Sequence, residues 1–370
     1  MAGLYSAQGK VAAPKADAGS RTPLIGMNLP ELTALLGAAG FPAFRAKQVY
    51  HWLYRHAALS FDEMNNVAKD VRAWLTEHCV VGHPEIAEIR GGAEDGSQKI
   101  LFRLRDGKIV ESVLMQDRDW QTLCLSSQVG CAVACTFCMT GFGGFRRHMT
   151  KGEILSQYLL AKRLVNKGVA PRNIVFMGMG EPMLNLDQVI PALQLLIDNE
   201  GIDVSPRRIT VSTSGILPGI ERLGQADTGV NIAISLNASN NEFRNQIMPI
   251  NKAYPIEALL AACNAFPLKS RRRITFEYVL LGGMNDKREN AKELAALLRG
   301  LPCKVNLIPW NPDAHLPYQR PSEESVRRFQ QYLLDQNYTV SVRYSKGMDI
   351  GAACGQLAGH WEAEQQAEPA

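Results

Sequence analysis

The chain has 370 residues, of which 46% are hydrophobic and 21% charged, with a formal net charge of +4. This length allows a sizeable core and predicts two or three domains. No apolar run approaches the roughly 20 residues that span a bilayer, and the N-terminal segment lacks the apolar block of a secretory signal. We therefore expect a soluble, cytoplasmic protein that makes no membrane contact.

The N-terminal part of the chain is predicted to be helical. After a tail over residues 1–22, apolar residues recur at spacings of three and four, as at Val49, Trp52 and Leu53. This period is typical of amphipathic helices. We predict a small helical accessory domain over residues 23–84.

The pattern changes to alternation over residues 85–116. Two apolar runs flank Asp106-Gly107, and an Asp-Gly pair between alternating segments is a strong signal for a tight hairpin turn. This segment is predicted to form a β-hairpin extension.

Residues 117–359 alternate between β-rich runs and helical patterns. Such alternation predicts parallel βαβ units, here an α/β fold with a partial, open (β/α)6 TIM-like barrel. A doubly wound sheet is the alternative. Residues 360–370 are read as a C-terminal tail. The predicted strands are 122–126, 173–177, 208–212, 231–236, 273–281, 304–308 and 339–344.

Three cysteines are concentrated after the first predicted barrel strand. Cys131, Cys135 and Cys138 form a Cys-x3-Cys-x2-Cys pattern in a βα loop, where barrel active sites are built. Three thiolates can hold a [4Fe–4S] cluster and leave its fourth iron open. That iron can bind the amino and carboxylate groups of S-adenosylmethionine. The alternatives are a zinc site or an electron-transfer cluster, for which His148 is available as a fourth ligand.

This loop resembles that of the radical S-adenosylmethionine (SAM) superfamily, and a second motif agrees. Gly178–Pro182, of sequence Gly-Met-Gly-Glu-Pro, resembles the superfamily's glycine-rich segment. The resemblance implies that Gly180 lets the backbone approach the cofactor and that Glu181 accepts from its amine. Polar or backbone groups at later strand ends suit the rest of the cofactor, although each could merely cap a helix. These are Ser212, Ser235, Leu236, Asn237 and Asn311.

Longer motifs resemble the RlmN family of RNA adenine methyltransferases, over roughly residues 23–359. Two departures are Met139, where a small residue is common, and Asn237, where relatives often carry His. The matching stretches are 125–131, 177–182, 234–236, 306–312 and 353–357.

The resemblance implies a reaction at C2 of adenine through a methylated cysteine, with two SAM molecules used per turnover. Cys354 matches the residue that carries the methyl group. Cys124 matches the partner that resolves a covalent protein–RNA adduct by forming a transient disulfide with Cys354. Glu111 matches the general base that removes the C2 proton. Taken alone, the residue patterns favour a buried structural thiol at Cys124, packing at Cys354 and a solvated Glu111.

The resemblance also implies partners: 23S rRNA and tRNA as substrates and a flavodoxin- or ferredoxin-type electron donor. We expect a monomer whose helical N-terminal domain binds RNA, with basic clusters available for phosphate contacts. Three other functions stay open. They are C8 methylation of the same adenine, which gives antibiotic resistance, a protein-modifying radical SAM enzyme, and a non-catalytic protein that carries a cluster.

Overall fold

The computed structural model describes residues 21–92, 95–117, 120–166 and 169–357. The predicted N-terminal tail, apart from its last two residues, and the C-terminal tail over residues 360–370 lie outside these ranges. Within them, none of the helices has both the length and the apolar character needed to cross a bilayer.

The N-terminal segment forms three helices, as predicted. Asn28 caps the first, because its side chain accepts from the Glu31 amide while the Glu31 carboxylate accepts from the Asn28 amide, both at 2.8 Å. The apolar faces pack together through buried Val49 and Leu53. The elements are β1 (Thr22–Pro23), α1 (Leu29–Ala38), α2 (Ala43–Tyr54), α3 (Lys69–His78) and β2 (Cys79–Val80).

An antiparallel segment follows, and it is continuous with the main sheet. The predicted hairpin turns at Asp106-Gly107, where the Leu104 amide donates to the Lys108 carbonyl at 2.8 Å. The second hairpin strand then pairs with the first barrel strand, so the hairpin extends the barrel sheet. Its strands are β3 (Glu85–Gly91), β4 (Gln98–Arg103), β5 (Ile109–Asp117) and β6 (Trp120–Cys124).

The remaining chain alternates between strand and helix, as predicted. A short two-stranded sheet, β7 with β8, interrupts the first unit. The elements are β7 (Gln128–Gly130), α4 (Met139–Phe142), β8 (Phe145–His148), α5 (Lys151–Leu160), β9 (Asn173–Phe176), α6 (Leu186–Ile197), β10 (Ile209–Thr213), α7 (Leu217–Gln225), β11 (Asn231–Ser235), α8 (Asn241–Ile247), α9 (Ile256–Ala265), β12 (Ile274–Leu280), α10 (Arg288–Leu297), β13 (Cys303–Pro309), α11 (Glu323–Asp335) and β14 (Val340–Val342).

The main sheet has ten strands in the order β14-β13-β12-β11-β10-β9-β6-β5-β4-β3. From β6 to β14 each strand pairs in parallel with the next one along this order. The order does not reverse, as it would in a doubly wound sheet, and this confirms the partial-barrel prediction. Because parallel strands end at the same edge, the loops after β6 and β9 to β13 meet at one mouth.

Candidate active site

The cysteine loop leaves the end of β6 and is closed by β7 and β8. The Cys131 amide donates to the Gly144 carbonyl at 3.0 Å, and Gly130 has a φ of +76°. A Cβ atom at position 130 would lie 1.8 Å from the Gly144 oxygen. Only glycine therefore lets the loop close in this way. The loop ends at Cys138, which precedes the first turn of α4.

The three loop thiols are half-buried, and charge on one of them affects the pKa of another. Burial raises the pKa of Cys131 to about 12 and raises that of Cys135 well above its ordinary value, and charge on Cys138 raises both further. The three thiols therefore lie close enough together to interact electrostatically. Three thiolates close together need compensating positive charge, which iron ions provide. The donor set thus fits a bound cluster.

The alternative fourth ligand, His148, has other contacts. Its Nδ1 lies 3.0 Å from the Gln128 side-chain amide, and its ring packs beside Phe145. Across the described ranges, no three Cys, His, Asp or Glu side chains converge on a single-ion site.

The glycine-rich segment after β9 packs tightly against the cysteine loop. Gly180 has a φ of +97°, and a Cβ atom there would lie 2.4 Å from Cβ of Gln128. Glu181 is buried, and its carboxylate accepts from the amide and hydroxyl of Ser214, both at 2.7 Å, and from the Met183 amide at 3.0 Å. Burial raises the pKa of Glu181 although these hydrogen bonds oppose the shift. Glu181 therefore joins the ends of β9 and β10. It also lies near the cysteine loop, because its charge affects the pKa of Cys131.

The predicted polar groups on the neighbouring strands β10 and β11 lie side by side. The hydroxyls of Ser212 and Ser235 lie 3.4 Å apart, and Ser212 donates to Glu277 at 3.3 Å. Glu277, on β12, is buried, and burial raises its pKa. Two hydroxyls and a carboxylate form a polar patch of the kind that binds sugar hydroxyls.

Leu236 and Asn237 follow β11 but use their side chains within the protein. Leu236 is fully buried. Asn237 has a φ of +58°, a conformation that asparagine tolerates better than most residues, and its side-chain oxygen accepts from the Val279 amide at 2.9 Å. Their backbone groups are bonded within the protein as well, because both amides donate to the Glu277 carbonyl and the two carbonyls accept from Arg244 and Asn285.

Asn311, after β13, holds the loop that carries Cys354. Its side-chain amide donates to the Ser345 hydroxyl at 2.8 Å and to the Cys354 carbonyl at 3.1 Å. The same loop reaches the cysteine loop directly, because the Met139 amide donates to the Gly355 carbonyl at 2.7 Å. Cys354 is thereby fixed beside the predicted cluster ligands.

Cys124 and Cys354 are brought together inside the barrel as free thiols. Burial raises the pKa of Cys124, and charge on Cys354 raises it further, so the two thiols are close enough to interact electrostatically. Cys354 keeps exposed surface, although much protein lies around its thiol. Burial raises the pKa of Cys354 as well, while Arg343 acts in the opposite direction.

Glu111 is buried on β5 rather than solvated. In the antiparallel register Val113 is paired with Cys124, and side chains two residues apart on a strand share a face. Glu111 therefore lies on the same face as Cys124. Its carboxylate is 3.4 Å from the Lys99 ammonium, and its backbone carbonyl accepts from the Ser126 hydroxyl at 2.5 Å.

Sequence reasoning missed several buried charged residues of this site. Lys99, Arg244 and Glu277 are all buried. A charged residue inside an otherwise apolar strand, as in Thr275–Tyr278, is a signal that could have indicated Glu277. Arg343, exposed at the end of β14, lies 4.0 Å from Glu277.

Two basic clusters of the sequence, Arg207-Arg208 and Arg271-Arg272-Arg273, lie away from this site. They precede β10 and β12, so both clusters stand at the opposite end of the barrel. Arg147 is held in ion pairs with Asp106 and Glu153. These arginines are therefore poor candidates for RNA contacts at the barrel mouth.

The fold and the cysteine loop together define a radical SAM enzyme. The model of the Radical SAM superfamily matches residues 125–295. The model described as the ribosomal RNA large subunit methyltransferase N-terminal domain matches residues 22–81.

Similar proteins of known name narrow the class of radical SAM enzyme further. The chain is 50% identical to the dual-specificity RNA methyltransferase RlmN of Geobacter sulfurreducens, over 91% of this chain and 92% of the relative. It is 48% identical to the protein of that name from Pelobacter propionicus, over 94% and 98%. A crystal structure of a radical SAM methyltransferase from Sphaerobacter thermophilus superposes with a TM-score of 0.87 at 44% identity, covering 91% and 99%. The chain belongs to the RlmN family of radical SAM methyltransferases, and this membership implies a [4Fe–4S] cluster and SAM.

Proposed function

We propose that the protein methylates C2 of an adenine in 23S rRNA and in tRNA through a methylated cysteine and a covalent protein–RNA adduct. The observation that carries this proposal is the attachment of the Cys354 loop to the cluster loop. Met139 donates to Gly355, and the Thr140 hydroxyl donates to the Leu357 carbonyl at 2.9 Å. A thiol held beside a cluster site, with a second thiol as its neighbour, suits transfer through sulfur.

The cofactor is proposed to bind against the strand ends already described. Cys131, Cys135 and Cys138 would hold the cluster, while the segment at Gly180 and Glu181 faces the same loop. The later strand ends supply the remaining contacts. When bound, the cluster and SAM supply a one-electron cleavage that yields a hydrogen-abstracting radical. The proposed contacts to the cofactor come from Ser212, Ser235, Leu236, Asn237 and Asn311.

The protein's residues then account for the covalent steps. Cys354 takes a methyl group from a first SAM, loses one methyl hydrogen to the radical formed from a second, and bonds through carbon to adenine C2. Glu111 accepts the C2 proton. Cys124 attacks the Cys354 sulfur, so a disulfide forms as the carbon–sulfur bond breaks, and the Cys124 proton completes the new methyl group. The adduct radical formed at C2 loses one electron together with the C2 proton, and this electron returns to the flavodoxin- or ferredoxin-type donor system. A dithiol reductant later restores both thiols.

Exposing one adenine in folded RNA requires unstacking, which costs a few kcal/mol. We assign this task to the helical N-terminal domain over residues 23–84, and we expect a cytoplasmic monomer.

Loss of the methyl carrier tests the route. We expect Cys354→Ala to abolish RNA methylation while reductive cleavage of SAM to 5′-deoxyadenosine persists in anaerobic assays. Cys303→Ala is the matched control, because Cys303 is also a buried thiol but lies at the start of β13, far from the barrel mouth. This variant should keep near-normal activity. RNA methylation by Cys354→Ala would exclude the methyl-cysteine route.

Loss of the resolving thiol tests the second cysteine. Without Cys124 the carbon–sulfur bond to Cys354 has no internal thiol to break it, so Cys124→Ala should accumulate a covalent protein–RNA species. Denaturing electrophoresis with labelled RNA detects it. Recovery of only free RNA from this variant would contradict the resolving role.

A further inference from the structure

Lys99 is a buried lysine with contacts to two parts of the site. Only 3% of its side chain is exposed. Its ammonium lies 3.4 Å from Oε2 of Glu111 and donates to the Gly351 carbonyl at 3.2 Å. Gly351 is three residues before Cys354. One ammonium thus contacts both the proposed base and the loop that carries the methyl group.

Stability alone does not require this pair. Removing two charges from water costs several kcal/mol per ion, and an apolar pair of similar volume is often as stable. The neighbouring residues Ile100, Leu101 and Phe102 are fully buried and apolar. An isolated lysine in such a strand therefore calls for a role that depends on its charge.

The backbone register explains how Lys99 reaches Glu111. Lys99 is paired with Val113 on β5, and Val113 is paired with Cys124 on β6. Side chains of directly opposed residues share a face, as do residues two apart. Lys99, Glu111 and Cys124 therefore project to the same side of the sheet, toward the Cys354 loop.

Other contacts attach the same loop to the hairpin. The Gly347 amide donates to Asp95 at 2.8 Å, and the Lys346 ammonium donates to the Gln116 carbonyl. Asp95 in turn accepts from the Ser97 amide at 2.9 Å. Lys99 differs from these anchors because it alone, among them, also contacts the Glu111 carboxylate.

We propose that Lys99 is a positioning residue that sets the Glu111 carboxylate against the Cys354 loop for proton removal from adenine C2. This inference rests on the proposed function. Lys99 takes no proton and forms no bond to substrate. Its ammonium fixes the distance between the Glu111 carboxylate and the Cys354 sulfur that bears the adduct. The carboxylate is then in reach of the C2 proton when the adduct carbon is bonded to C2.

The test separates the two halves of the reaction. Methylation of Cys354 needs no base at C2, so Lys99→Met should leave it within about twofold of the native rate, measured by intact-protein mass spectrometry. Resolution of the RNA adduct should slow by about 10- to 100-fold, the loss typical of a base displaced by about 1 Å. A deuterium at C2 should then slow resolution further than it does in the native protein.

Two further variants complete the design. In the Glu111→Gln background, Lys99→Met should cause no additional slowing, because Lys99 acts through Glu111. Lys162→Met is the matched control, since Lys162 also donates to a backbone carbonyl, that of Arg55 at 2.8 Å, away from the site. If Lys99→Met fails to fold, Lys99→Gln, which keeps a donor for Gly351, replaces it with the same expected slowing.

The outcomes are distinguishable. Native-like resolution in a folded Lys99 variant, or equal loss of Cys354 methylation and resolution, would overturn the positioning role. Failure of the native protein itself to methylate adenine C2 in RNA would instead overturn the proposed function.

Discussion

At the scale of single residues, Arg244 shows how a buried charge organises the site. It is fully buried, and its guanidinium donates to the carbonyls of Leu236 and Ser214 and to the side chain of Asn251 at 2.6–3.0 Å. Burial lowers its pKa to about 10, so it stays charged near neutral pH. One arginine thus holds together the ends of β10 and β11, where the cofactor is proposed to bind.

Replacing this arginine should destabilise the protein. Arg244→Met leaves several buried carbonyls without a donor, and breaking such a network costs about 3–5 kcal/mol. Chemical denaturation measures the free energy of unfolding. Arg222→Met is the control, because its ion pair with Asp187 is largely exposed and contributes about 1 kcal/mol or less. Equal effects from both variants would contradict the structural role of Arg244.

At the scale of elements, local pattern predicted most of the architecture. The strands and helices of the barrel and the turn at Asp106-Gly107 follow from periodicity and turn chemistry, which neighbouring residues determine. The pairing of β7 with β8 was missed, because short strands with Gly and Arg carry little β signal. The helix α5 continues as a π-helical segment at Ala161–Val165, which periodicity does not distinguish from an α-helix.

The parts of the site whose residues lie close together in the sequence were predictable. The Cys-x3-Cys-x2-Cys spacing lies within one loop, so it is visible in the sequence. The contacts of Lys99 are not, because Lys99 and Gly351 are 252 positions apart. Glu277 and Arg343 likewise meet only after the sheet has formed.

The pairing of β7 with β8 closes the cysteine loop, and the need for this closure can be tested at Gly130. Gly130→Ala places a methyl group against the Gly144 carbonyl in a conformation unfavourable for alanine, so the loop should fail to close. Iron content after anaerobic reconstitution should fall several-fold. Gly37→Ala is the control, since nothing lies within 4 Å of its added carbon and alanine favours helices. Full iron content in Gly130→Ala would show that the closure is unnecessary.

At the scale of the whole molecule, the helical N-terminal segment is joined to the barrel. The Tyr50 hydroxyl donates to Asp198 at 2.5 Å, and Lys151 pairs with Glu31 at 3.0 Å. The sequence predicted the helices but not this joining, because the partners lie far apart along the chain. The hairpin, the barrel and the Cys354 loop are also connected, so the proposed base, methyl carrier and resolving thiol are held by one framework.

The most direct test follows the hydrogens of the transferred methyl group. With SAM that carries a trideuterated methyl group, we expect 2-methyladenosine with two deuterium atoms, because one is lost from Cys354 before the carbon bonds to C2. The third should appear in 5′-deoxyadenosine. Mass spectrometry and NMR of the isolated nucleosides measure both. A product with all three deuterium atoms, or with its methyl group at C8, would contradict the account.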